Sequence, residues 1–167
     1  GGSIKIERAE VKNAPVVYAD RYIEDLSDVE VPVRQETDVF DFELAKVNFQ
    51  KIVDFTKDKD VNSPVEISGN EITISAGNEA INIARISRVD LENADLITVN
   101  SDSNKPIFVD VIGTQISWGE TAFTLNGIGQ ENIFFVFTEA EDIWLRKINL
   151  KANFVAPNSS LVFTEGV

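Results

Sequence analysis

From Pro64 onward the chain is written in period two. Short runs alternate apolar and polar residues and stop at turn residues. Only strands use such a pattern, because successive side chains on a strand point to opposite faces. The candidate strands are VEIS, EITIS, AINIARI, DLITVN, PIFVDVIG, TQISW, TAFTL, NIFFVFT, DIWLRKINL, ANFVA and SLVFTE. Turns fall between them at Ser68-Gly69-Asn70, Ala76-Gly77-Asn78, Ser101 to Asn104, Gly119-Glu120, Gly127 to Gly129 and Pro157 to Ser160. So many short strands at close, fairly even spacing restrict the fold to a sandwich, a barrel or a β-solenoid.

One segment breaks the pattern. In TDVFDFELAKVNFQKIVDFTKDKD, residues Phe42, Ala45, Phe49, Ile52 and Val53 recur at helical spacing, and Leu44, Val47 and Phe55 widen the stripe. Asp38 suits the N-cap. Acids at the start and Lys51, Lys57 and Lys59 toward the end suit the helix dipole. The pattern predicts one helix over about residues 38–57, stopped by Asn62 and Pro64. Before it, IKIERAEV, PVVYA and VEVPV read as short strands, which Pro15 and Pro32 confine to edges or strand starts.

Two details lean toward the solenoid. Many connections run two to four residues, yet they are not the tidy Asn-Gly or Asp-Gly hairpins of a meander. A helix with a broad apolar stripe also needs a broad apolar partner, such as the flank of a stack of strands. A sandwich remains the alternative on these grounds. In a solenoid the inward columns would hold Ile97, Val99, Ile107, Val109, Val111, Phe123, Leu125, Phe135 and Phe137.

Charge and composition exclude several functions. Lys and Arg number 15 and Asp and Glu 28, giving 15 − 28 = −13. Such a chain repels phosphate backbones and anionic lipid, so neither nucleic acid nor a membrane surface is an expected partner. There is no cysteine, methionine or histidine. Disulfides, thiolate metal sites and imidazole bases are thereby ruled out. No apolar run is long enough to span a bilayer, no signal peptide is recognisable, and no membrane insertion is expected. Hydrophobic residues make up 43%, enough for a core without staples.

Four stretches carry a resemblance. FDFELAKVNFQKI (Phe40 to Ile52), INIARISRVDLENADLITVNSDSNKPIFVDVIGTQISW (Ile81 to Trp118), NIFFVFTEAEDIWL (Asn132 to Leu145) and FVAPNSSLVF (Phe154 to Phe163) follow one another in the order and spacing of a known family. They resemble the choice-of-anchor A domain of bacterial surface proteins, a family similar to ice-binding-like adhesive domains. Asp110 stands where that family often has asparagine, and Phe135 and Phe137 depart from its usual Trp and Asn pattern.

The resemblance implies a mainly β fold, a right-handed β-helix (β-solenoid) with one long α-helix packed alongside. It implies a secreted, cell-surface adhesin that recognises an extracellular glycan or matrix protein without catalysis and without a cofactor. The chain then reads as linker residues 1–3 and one adhesive domain over residues 4–167, stopping short of a final strand and belonging to a larger anchored protein. The rival readings are a structural stalk, an ice-binding protein, and a polysaccharide lyase or hydrolase.

Candidate site residues are few. Asp58, Asp60 and Asn62 have the alternate-oxygen spacing of a calcium loop, but Ser63 and Gly69 stand where an EF-hand needs glycine and glutamate. A solvated helix end explains them more simply. Ser101 to Asn104 and Glu139 to Asp142 read as turn chemistry before ion sites. Abundant acids admit a carboxylate dyad, but sequence does not show a cleft. Trp118 and Trp144 are possible sugar-stacking platforms, with core burial the simpler reading. Lys105, Lys147 and Lys151 lie in β regions, where related adhesins form Lys–Asn crosslinks. Thr73, Thr98, Thr114, Thr121, Thr124 and Thr138 look scattered, without the T-x-T repeat that an ice-binding face would want. Pro157 and Asn158 read as a tight corner, with Asn158 suited to a left-handed conformation.

Overall fold

The computed structural model describes residues 4–7, 23–24 and 42–164. In chain order the elements are β1 (Ile4–Glu7), β2 (Ile23–Glu24), α1 (Phe42–Asp58), β3 (Val65–Ser68), β4 (Glu71–Ala76), β5 (Asn82–Ser87), α2 (Arg88–Glu92), β6 (Leu96–Ser101), β7 (Ile107–Ile112), β8 (Gln115–Gly119), β9 (Ala122–Asn126), β10 (Ile133–Phe137), β11 (Asp142–Arg146), β12 (Asn153–Val155) and β13 (Ser160–Thr164). Every strand expected after Pro64 is present. The early runs PVVYA and VEVPV, and Asp38 as helix cap, lie outside the described residues.

The described strands form three sheets. The first has the order β3-β4-β6-β9, the second β12-β10-β7-β5, and the third β2-β1-β13-β11-β8. Parallel pairing dominates, and from β4 onward each parallel neighbour is reached only after the chain has visited at least one other sheet. The hairpin β3-β4 is antiparallel, turning at Gly69, whose φ of +59° favours glycine.

The expected right-handed β-helix is therefore corrected. The chain folds as separate, mixed and parallel sheets that do not close. Antiparallel β3 begins the first sheet. The chain's opening strand β1 joins β13 near its end, rather than following a regular coil. Helix content is small: α1 has 17 residues and α2 has 5. A period of two specifies which side chains are buried. It does not specify how one sheet joins the next.

The inward faces of all three sheets share one core. Ile72, Ile74, Ile97, Val99 and Phe123 come from the first, and Ile107, Val109, Val111, Phe135 and Phe137 from the second. Ile116, Trp118, Ile143 and Leu145 come from the third. Every residue expected to point inward does so, with Leu125 only partly buried. Each fully buried aliphatic or aromatic side chain contributes roughly 1.5–3 kcal/mol, so this core decides the fold.

The helix uses less of its stripe than expected. Val53 packs with Val136 and Val155 on the outer face of the second sheet, flanked by Ile52, Phe108 and Phe134. Phe55 meets Phe108 edge-on at 6.0 Å, and Phe108 stacks on Phe134 at 4.9 Å. Gln50 Oε1 accepts from Asn158 Nδ2 at 2.7 Å, and Lys57 pairs with Glu139 at 3.6 Å. Leu44, Val47 and Phe49, counted in the stripe, are exposed. The apolar contacts of α1 with the second sheet run through Ile52, Val53 and Phe55, in the C-terminal half of the helix. Asn158 is not in the left-handed region: its side chain ties the corner to the helix instead.

The short helix α2 was not expected, although Ser87-Arg88-Val89-Asp90 carries its start signal. Ser87 Oγ accepts from Asp90 N–H at 3.2 Å, an N-cap, and donates to the Asp90 carboxylate at 2.5 Å. Helix α2 lies against β8 and blunts its free edge. Glu92 Oε1 accepts from Ser117 N–H at 2.8 Å, and Arg88 donates to the Gln115 carbonyl at 3.4 Å. Side chains here replace the backbone partners of a missing strand. Glu92→Ala is expected to cost only about 0.5–1 kcal/mol, because water can reach Ser117 N–H. Urea unfolding would measure that loss, and a faster amide exchange at Ser117 would locate it.

Candidate functional site

The outer face of the first sheet is a regular surface. Register places Thr73, Thr98 and Thr124 side by side on β4, β6 and β9. One row along, Ser75, Asn100 and Asn126 are also in line, and Asn126 Nδ2 donates to Asn100 Oδ1 at 2.8 Å. On the other side lie Glu71, Leu96 and Ala122. Alternation puts these residues outward because Ile72, Ile74, Ile97, Val99 and Phe123 point into the core. The result is an array spaced about 4.8 Å across strands and about 6.6 Å along them.

The array is flat, mostly short-chained and weakly charged. None of β3, β4, β6 and β9 carries a lysine or arginine, and Glu66 and Glu71 supply the charge near the β3 edge. The threonine row was not legible beforehand. Its members are 98 − 73 = 25 and 124 − 98 = 26 residues apart, so no local T-x-T repeat announces them. Thr114, Thr121 and Thr138 lie elsewhere. Thr121 is buried, and Thr138 donates to Asp110 at 2.8 Å.

The two tryptophans part company. Trp118 is 1% exposed, against Phe123, Phe135 and Phe137, and its Nε1–H donates to Thr121 Oγ1 at 3.0 Å. Its ring offers no face to a ligand. Trp144 is 38% exposed on the outer face of the third sheet, between Ser117 on β8 and Val162 on β13.

The oxygen-rich stretches are engaged in structure. Asp58 ends α1, and Asp60 is exposed in the following loop. Asn62 Oδ1 accepts from Ile83 N–H at 2.7 Å, and its Nδ2 donates to the Ile81 carbonyl at 3.1 Å, so its amide extends the edge of β5. Asn104 Oδ1 accepts from Gly129 N–H and from Asn132 Nδ2. Glu139 pairs with Lys57. Among the described residues no three His, Cys, Asp or Glu side chains come together as a metal site. Lys105 Nζ donates to the Asn78 carbonyl at 3.1 Å and Lys147 pairs with Glu120 at 3.6 Å, while Lys151 is exposed.

A family model described as "Putative Ice-binding-like adhesive domain" matches residues 1–167. The chain belongs to this adhesive-domain family. No curated protein and no solved structure matches it. Family membership points to binding rather than turnover, and to a surface or extracellular setting. Among the described residues no helix is long and apolar enough to cross a membrane.

Proposed function

We propose that this chain is an adhesin-type binding domain of a bacterial surface protein, of the choice-of-anchor A kind. It engages an extracellular glycan or matrix protein through the outer face of the first sheet. The observation that carries this reading is the in-register array of Thr73, Thr98 and Thr124 beside Ser75, Asn100 and Asn126. A flat lattice of short polar side chains costs little side-chain entropy on binding. It repeats its donors and acceptors at fixed intervals, which suits a ligand that is itself repetitive. Binding here is non-covalent, without cofactor, nucleic acid or membrane insertion, and the domain is one part of a larger anchored protein.

The same array supports a second reading, binding to ordered water at an ice surface, because the threonines stand in one row. The two readings separate in one set of measurements. Glycan and matrix-protein arrays, with and without calcium, test adhesion; thermal hysteresis tests ice binding. Thr98→Lys puts a long charged chain at the centre of the lattice. It is expected to reduce the positive signal at least about tenfold, a loss of about 1.4 kcal/mol. Fold stability is expected to change by less than about 1 kcal/mol, because Thr98 faces outward. Binding that survives Thr98→Lys undiminished would place the working surface elsewhere. Blank arrays with no hysteresis would leave a stalk.

A further inference from the structure

The third sheet carries a different surface, which does not rest on the reading of the first. Trp144 sits mid-strand on β11 with its ring outward and is the tryptophan a ligand can reach, since Trp118 is buried. Its cross-strand neighbours are Ser117 and Val162, and two residues along its own strand lie Asp142 and Arg146. Gln115 and Ser160 flank Asp142 in register. Arg146 is held by Glu120 at 3.4 Å, with half of its side chain still exposed. An apolar ring is thus surrounded, one strand or one pleat away, by a hydroxyl, a carboxylate, an amide and a guanidinium.

The apolar part of this surface is a single indole of roughly 100 Å² exposed among polar side chains, whereas the centre of a protein interface is a broader apolar patch. A pyranose ring fits the chemistry better. Its axial C–H face is apolar and about the width of an indole, while its equatorial hydroxyls point outward. On a flat sheet those hydroxyls reach side chains about 4.8 Å across and about 6.6 Å along. Donor and acceptor are both at hand, from Arg146 and Asp142. We propose that Trp144 is a stacking platform for one pyranose unit of an equatorially linked glycan, with Asp142, Arg146 and Ser117 reading its hydroxyls.

The two tryptophans make the test direct. Each indole N–H gives its own signal in a nitrogen–proton correlation spectrum. That of Trp118, buried and bonded to Thr121, should exchange slowly with solvent, and that of Trp144 quickly. Cellohexaose and chitohexaose, titrated to about 10 mM, are expected to move the Trp144 signal saturably and to leave Trp118 in place, with Kd in the millimolar range of a single stacked ring. Maltohexaose, whose chain coils, should act more weakly than either. Trp144→Ala should weaken binding at least about tenfold while the Trp118 signal stays put, showing an intact core. A Trp144 signal unmoved by both equatorial hexasaccharides overturns the proposal. So does undiminished binding by Trp144→Ala, or a preference for maltohexaose. Because Thr98→Lys leaves this face untouched, failure here and failure of the first-sheet reading are distinguishable.

Discussion

Trp118→Ala is expected to lower the unfolding free energy by about 3–5 kcal/mol, the largest single effect available among the positions discussed. The indole is almost fully buried where the sheets meet. It lies 5.0 Å from the Phe135 ring, 5.9 Å from Phe123 and 6.3 Å from Phe137. Truncation leaves a cavity that the rings around it, one held by β9 and two by β10, cannot close. It also removes the partner of Thr121 Oγ1, although that hydroxyl keeps its own bond to the Ala94 carbonyl at 2.8 Å. Against a total stability of about 5–15 kcal/mol, such a loss brings a domain of this size close to unfolding. Trp118→Phe preserves most of the apolar volume and forfeits the N–H bond, so it should cost less than half as much. The ordering is read from urea midpoints. Equal midpoints for Trp118→Ala and the parent would mean that this ring is not packed as described.

Arg85→Ala is expected to cost about 2–3 kcal/mol, more than any surface substitution on this chain. Asp110 is fully buried on the outer face of the second sheet, in the row that continues through Val136 and Val155 beneath α1. Its Oδ2 accepts from Arg85 Nε at 2.8 Å and its Oδ1 from Thr138 Oγ1 at 2.8 Å. Without Arg85 a buried carboxylate keeps one hydroxyl and no counter-charge. The estimate sits below the usual range for a broken buried pair because Arg85 itself is partly exposed and water can move in. The diagnostic is non-additivity. Adding Asp110→Asn to Arg85→Ala removes the stranded charge, so the double variant should be more stable than Arg85→Ala alone. A double variant less stable than the single would show that the charge is not what Arg85 compensates.

Much of the architecture was written locally. Val-Glu-Ile-Ser, Glu-Ile-Thr-Ile-Ser and the runs after them mark strands because one face of each must leave water, and the buried columns follow from the same alternation. The α1 pattern was visible for the same reason. Which part of its stripe is covered was not, since Leu44, Val47 and Phe49 belong to the same stripe as Val53 and yet are exposed. The coil expected from a resemblance also went beyond local information. The parallel pairing of β4 with β6 and that of β1 with β13 depend on contacts far apart in the chain.

The candidate surfaces show the division most clearly. That Thr73, Thr98 and Thr124 face outward could be read from their buried neighbours, yet their alignment could not. Register between strands about 25 residues apart is set by the length and shape of every turn between them. Likewise alternation puts Trp118 on the face of Ile116 and Trp144 opposite Ile143 and Leu145, while the packing of the sheets decides that Trp118 is 1% and Trp144 38% exposed. The amino-acid order by itself determined the strands after Pro64, the long helix and the apolar faces, because those follow from water avoidance over a few residues. Tertiary structure alone decided which outward residues become neighbours, because that is a property of distances through space rather than along the chain.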